Sequence, residues 1–144
     1  MPVLHSVLRY AWAFPATAVG LALLLIACVA GATVVTIDGT IEVGGGHIAR
    51  LIARLPRCMR FNAITFGHVV MGIDHEALAQ CRSHERVHVR QYERWGILFF
   101  PLYLGSSLVQ LLRGRNPYWH NHFEQEACRV AALATPEPSA RRDL

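Results

Sequence analysis

The sequence predicts a small α+β domain with a long polar helix at its centre, a short β-sheet, and an N-terminal helix that belongs to a membrane. Three observations carry this reading. No charged side chain occurs between Tyr10 and Ile37. Short β-branched segments broken by Gly follow. Asp74 and Gly96 then bracket a helical pattern containing His84-Glu85-Arg86-Val87-His88. At 144 residues the chain is long enough for one modest core and too short for two lobes around a long cleft. A hydrophobic share of 53% against 17% charged is apolar for a soluble domain, and the excess is concentrated near the N-terminus.

Ala11 to Val35 is long enough, as a helix, to cross a hydrocarbon core of about 30 Å. A cleaved signal peptide is the competing reading, with Ala30-Gly31-Ala32 as a small-residue cleavage site, and Leu25-Ile26-Ala27-Cys28 resembles a lipoprotein box. The apolar run continues past Cys28, so residues 1–35 read as an uncleaved membrane anchor. The 14 basic residues are all Arg and the net charge is +4. Without Lys-rich runs or interleaved aromatics, this charge points to membrane lipid as a partner and away from nucleic acid. Arg50, Arg54, Arg57 and Arg60 follow the apolar segment and only Arg9 precedes it, which puts the domain on the cytoplasmic side. Cys28, Cys58, Cys81 and Cys128 show no CxxC spacing, so neither a disulfide framework nor a thiolate metal site is indicated.

Residues 36–135 form the predicted domain. Thr36 to Val43 reads as a short strand containing an Asp38-Gly39 turn, and Gly44-Gly45-Gly46 separates it from a basic helical piece, His47 to Leu55, closed by Pro56. Phe61 to Ile73 reads as a second strand interrupted at Gly67. Asp74 is a natural N-cap and Gly96 a natural stop for a helix of about 31 Å. On it Cys81, His84, His88, Gln91 and Trp95 share one face, while Arg82, Arg86 and Arg90 line another. A solvated face is the expectation for these arginines, with lipid phosphates as the alternative.

Ile97 to Leu112 is a second apolar run, flanked by Arg94, Arg113 and Arg115. If it crossed a bilayer, the few residues left could not bring Glu124 back to the His84 side, since they reach only about 18 Å as a helix. The segment 97–112 is therefore expected to pack on the domain or dip into the interface. The last helix starts at Asn116-Pro117 or at Asn121 and ends at Thr135-Pro136. Residues 136–144 read as a disordered tail.

Imidazoles four residues apart on a helix project from one side and can grip one cation. Zinc held by three protein ligands keeps a position for water, acidifies it and polarises a carbonyl. In that chemistry His84 and His88 are two ligands and Glu85 is the general base. Glu124 is the expected third ligand, with Glu126 as its substitute. A competing role exists for Glu124, because Asn121-His122-Phe123-Glu124 has capping-box spacing and the carboxylate would then serve the Asn121 amide. His120 and His122 alternate in a region that reads helical, so exposure suits them better than ligation. His68 and His75 fit structural or capping roles, and Gln91 a hydrogen bond to the site.

His84-Glu85-x-x-His88 followed by a helix carrying Glu124-x-x-Ala127 resembles the gluzincin class of zinc metallopeptidases. Gly67-His68-Val69-Val70, His84 to Gly96 and Asn121 to Ala127 resemble small bacterial membrane-associated proteins of that class, over about residues 60 to 130. The resemblance implies a minimal zincin-like fold, Zn2+ as cofactor, and a peptide or protein substrate paired along the strand before the metal helix, beside Ile64 to Met71. Two departures stand out. Many gluzincins carry an Asp four residues beyond the ligand Glu, where this chain has Cys128, a poor acceptor. No residue is marked as the oxyanion donor, and Tyr103, Tyr118 and His120 are the candidates.

Overall fold

The computed structural model describes residues 2–54 and 62–134, with side chains from residue 7 onward except that of residue 53. Pro56, Arg57, Cys58, Arg60 and Phe61, and the tail after Ala134, lie outside the described residues. Helix α1 (Pro2–Val29) leads into strands β1 (Thr33–Ile37) and β2 (Thr40–Gly44), then α2 (Ile48–Ala53), β3 (Ala63–Phe66) and β4 (Val69–Gly72). Helix α3 (His75–Trp95), a 3₁₀ turn (Gly96–Leu98), α4 (Phe99–Leu112) and α5 (His122–Ala134) complete the chain.

Both segments expected as single strands are hairpins. Asp38 and Gly39 each take a positive φ, 49° and 78°, the conformation a two-residue turn between twisted strands requires, so β1 and β2 pair antiparallel around them. Gly67, at φ 60°, does the same between β3 and β4. The four strands form one mixed sheet in the order β1-β2-β4-β3, with β2 and β4 parallel across the α2 crossover.

Register divides the sheet into two faces. Val43 and Val69 pack with Ala27 of α1 and with Ile48 and Ile52 of α2. On the other face Val70 packs with Leu78 and Val89 of α3. The segment expected as an anchor is therefore also the cover of one sheet face. It approaches the sheet closely where small residues allow it: a Cβ on Gly20 would meet Val69 at 2.7 Å, and a Cβ on Gly67 would run into Thr17. The fully buried Ala13 packs instead with Tyr92, Phe99 and Phe123. α1 remains apolar and long enough to cross a membrane, over Val7–Val29.

The arginine row on α3 is solvated only in part: Arg90 is exposed, while Arg82 and Arg86 pair with acids of the sheet. Arg82 donates to both carboxylate oxygens of Glu42 on β2, at 2.7 and 3.0 Å, and Arg86 donates to Asp38 at the β1–β2 turn. Glu42 is buried, so this bidentate pair satisfies a charge that burial alone would penalise. Two acids in the preceding hairpin fall opposite the basic row, which the helical spacing alone did not reveal.

Gly67→Ala is expected to destabilise the protein by about 2–3 kcal/mol, because the new methyl meets α1 backbone at a left-handed position. Gly105→Ala, where nothing lies within 4 Å, should instead stabilise it by about 0.5–1 kcal/mol as a helix-interior replacement. Denaturant unfolding of the two variants checks both signs, and equal effects would contradict the packing of α1 on the sheet.

Candidate metal centre

Helix α3 is defined at both ends as its sequence predicts. The Asp74 side chain accepts from the Ala77 amide at 2.7 Å, and Gly96 closes the helix at φ 56°. The intact 3.6-residue period then puts His84, His88 and Gln91 on the side facing α5. α5 begins at Asn121, whose Oδ1 accepts from the Phe123 amide at 2.9 Å. Asn116 caps the preceding turn instead, accepting from the Tyr118 and Trp119 amides.

Glu124 does not act in a capping box. Its Oε2 lies 3.1 Å from His84 Nε2, its Oε1 lies 3.4 Å from His88 Nε2, and Oε1 also accepts from the Tyr103 hydroxyl at 2.7 Å. His84 Nε2 and His88 Nε2 are 3.1 Å apart. These three residues, on two helices and forty positions apart in sequence, could hold a metal ion. Zinc with ligands at about 2.0–2.1 Å in a tetrahedron separates neighbouring donor atoms by about 3.3 Å. The His84–His88 separation and the nearest His–carboxylate distances, taken to the two oxygens of Glu124, approach that spacing, with one ligand atom from each residue lying within 4.8 Å of the others. Two imidazole nitrogens with one carboxylate form a donor set suited to zinc. Glu126 is not in the cluster; its Oε2 accepts from Gln91 Nε2 at 2.9 Å.

Gln91 fixes the orientation of His88. Its Nε2 faces two acceptors, the Phe123 carbonyl and Glu126, so its Oε1 must be the atom 2.8 Å from His88 Nδ1. His88 therefore donates from Nδ1, and the lone pair of the neutral ring sits on Nε2, towards Glu124. His84 is held less firmly, since Nδ1 has only the Cys128 sulfur at 3.8 Å. The thiol in place of an acid thus leaves one imidazole weakly supported.

The electrostatics favour a cation. Burial pushes the Glu124 carboxyl upward, but hydrogen bonds to His84 and His88 outweigh it and hold the group well below the usual carboxylate range. Burial pulls His88 downward, and the hydrogen bond and charge of Glu124 reverse that, leaving the imidazole raised above its ordinary value. Burial, with the Glu85 charge, pushes the Cys81 thiol up to about 11; its sulfur donates to the Ala77 carbonyl and offers no thiolate.

Glu85 turns one carboxylate oxygen towards the sheet, while its charge still acts on His88 and Tyr103. It is buried, and its Oε2 accepts from Thr65 Oγ1 on β3 at 2.7 Å. Thr65 was not among the residues singled out from sequence, although its place between Ile64 and Phe66 in an alternating strand marks it for the opposite face. β3 is a sheet edge and β4 is interior, so of the span Ile64 to Met71 only the first half offers an unpaired edge. Tyr103 is occupied by Glu124. Tyr118 is half-exposed, and burial together with the Glu124 charge pushes its phenol well up, so it stays protonated. His120 and His122 are exposed, as expected. His68 is a buried structural residue, 3.2 Å from Glu93 and stacked on Tyr10, and His75 bonds Thr33.

Comparison with known protein families, with curated proteins and with solved structures finds no match to this chain. The functional reading therefore rests on the residues and their geometry.

Metal affinity is expected to fall as pH drops. A proton competes with the metal for His88 Nε2, and the raised His88 value places the onset above the ordinary 6.5, while Glu124 stays ionised throughout. Chelator-competition titrations between about pH 5 and 8 read this, and a flat profile would contradict it. Gln91→Leu should weaken binding by about 10–100-fold by releasing the His88 ring.

Proposed function

We propose that this chain is a membrane-associated zinc metallopeptidase that hydrolyses peptide bonds. The observation that carries the reading is the convergence of His84, His88 and Glu124 at ligand-shell separations, with the acid Glu85 on the turn between the two imidazoles. A bound zinc ion would be held by those three residues and would supply Lewis-acid activation of water and of the substrate carbonyl.

The chain's own groups supply the rest. Glu85 is the general base, taking a proton from water and passing it to the leaving amine. Thr65 holds one of its carboxylate oxygens and so fixes the direction of the other. Tyr103 positions Glu124 and is spent in doing so, and the more exposed Tyr118 phenol also interacts with Glu124, so it would donate to a developing oxyanion by giving up that interaction. The edge strand β3, carrying Thr65, offers backbone groups to an extended peptide beside Glu85. The apolar α1 supports membrane association, and the arginines that follow it favour the cytoplasmic face.

Glu85→Gln is expected to retain zinc and lose cleavage of a peptide library by about 10²–10⁴-fold. Glu124→Ala should lose zinc itself. A Glu85→Gln protein as active as wild type would overturn the peptidase reading. Wild-type protein that holds zinc yet cleaves nothing would make the chain a metal-stabilised binding protein.

A further inference from the structure

α1 has the length and composition of a span, yet its inner side follows, almost end to end, a domain that cannot enter hydrocarbon. Arg9 approaches Glu93 at 4.0 Å. Gly96 abuts the Trp12 ring, Gly67 abuts Thr17, and Gly20 abuts Val69. Ala27 packs with Val43, Ile48 and Ile52. The α1 contacts thus run from the last turn of α3 to the far end of β2.

The elements alongside it are unsuited to lipid. α3 carries Arg82, Arg86, Arg90, Glu93 and Arg94, each costly in hydrocarbon. β1 is an open sheet edge, and unpaired strand backbone does not face lipid tails. An α1 standing across a bilayer would carry both in with it.

The outer side of α1 is nonetheless apolar, with Leu8, Phe14, Val19, Leu25, Ile26 and Val29 exposed. α4 has the same character. Its fourteen residues span about 21 Å, short of the roughly 30 Å needed to cross, and only Phe99 among them is buried. The continuous stretch His75–Leu112 is long and apolar enough for a span, but only by drawing on α3, whose charged residues lipid excludes. Phe100, Leu104, Leu108 and Leu111 are exposed, and Gly105 has open space beside it. The polar residues of α4 turn inward: Tyr103 to Glu124, Ser107 to Asn121 and Ser106 to the His122 amide. Exposed Arg94 precedes α4, and exposed Arg113 and Arg115 follow it. Ala13 and Ala16 of α1 share a core cluster with Phe99 and Tyr103 of α4, so the two helices belong to one body.

We infer that α1 and α4 lie in the plane of a membrane surface and do not cross it, sinking their outer faces into one leaflet of an anionic lipid bilayer. Arginines at the helix ends then meet lipid phosphates, while the sheet, α3 and the metal cluster stay on the aqueous side. The described residues are monotopic in this arrangement. The inference stands on packing and charge, independently of the metal and of peptidase activity.

The test places a spin-labelled non-natural residue at Leu8, Val19, Leu25, Leu104 or Leu111 of the otherwise native full chain. Each protein is bound to mixed phosphatidylcholine–phosphatidylglycerol vesicles, and depth is read from relative collision with oxygen and with a polar nickel chelate. All five positions are expected at similar shallow depth, with vesicle binding weakened at least about tenfold in pure phosphatidylcholine. Val19 at the bilayer centre with Leu8 and Leu25 shallow would establish a span and overturn the inference. So would failure to bind vesicles with the labels shielded from both collision partners, the signature of a second copy covering these faces.

Discussion

Burial of one anion organises this molecule. Glu124 has almost no solvent exposure, and a carboxylate removed from water must be compensated by donors or by a cation. His84 and His88 come from α3 and Tyr103 from α4, so satisfying Glu124 requires three helices to meet at one point. The surrounding polar bonds enforce that meeting. Gln91 ties α3 to the backbone of α5, and Asn121 ties the start of α5 to the Tyr103 carbonyl and to Ser107 on α4. The same convergence that solves the burial problem brings two imidazoles and a carboxylate together as a group that could hold a metal ion.

A second constraint is the strand register. Glu42 pairs with Val70, and Val70 pairs with Thr65, so these residues form one row across the sheet facing α3. Glu42 takes Arg82, Val70 takes Leu78 and Val89, and Thr65 takes Glu85. Slipping any strand by one residue would turn its member of the row to the other face, removing the partner of a buried charge. The sheet thereby fixes the rotation of α3 about its axis, and with it the direction in which the imidazoles point.

α1 completes the layering from the opposite side. Small residues let it approach closely, and Ala13 reaches the cluster of Tyr92, Phe99 and Phe123 that lies directly behind His88 and Glu124. The helix therefore backs the group of His84, His88 and Glu124 as well as covering the sheet. One face obeys the packing of a soluble core, and the other keeps the composition of a lipid contact.

The sequence alone determined what depends on near neighbours along the chain. Asp74 and Gly96 set the ends of α3, the four-residue spacing brought His84 and His88 to one side, Asp38-Gly39 marked a turn and Gly67 a break in a strand, because caps, helical period and backbone conformation are local properties. The distant Glu124 was legible as a partner only through its motif, and Gln91 only as a neighbour of His88. Tertiary structure decided the rest. Whether Glu124 capped its own helix or faced the imidazoles depended on where α5 lay against α3, and Arg82 and Arg86 found Glu42 and Asp38 only when the sheet folded onto the helix. Thr65 reached Glu85 by register, and α1 came to cover the sheet with one side because Gly20 and Gly67 admit close contact. These outcomes are set by which surfaces meet across the fold, information that no short stretch of sequence contains.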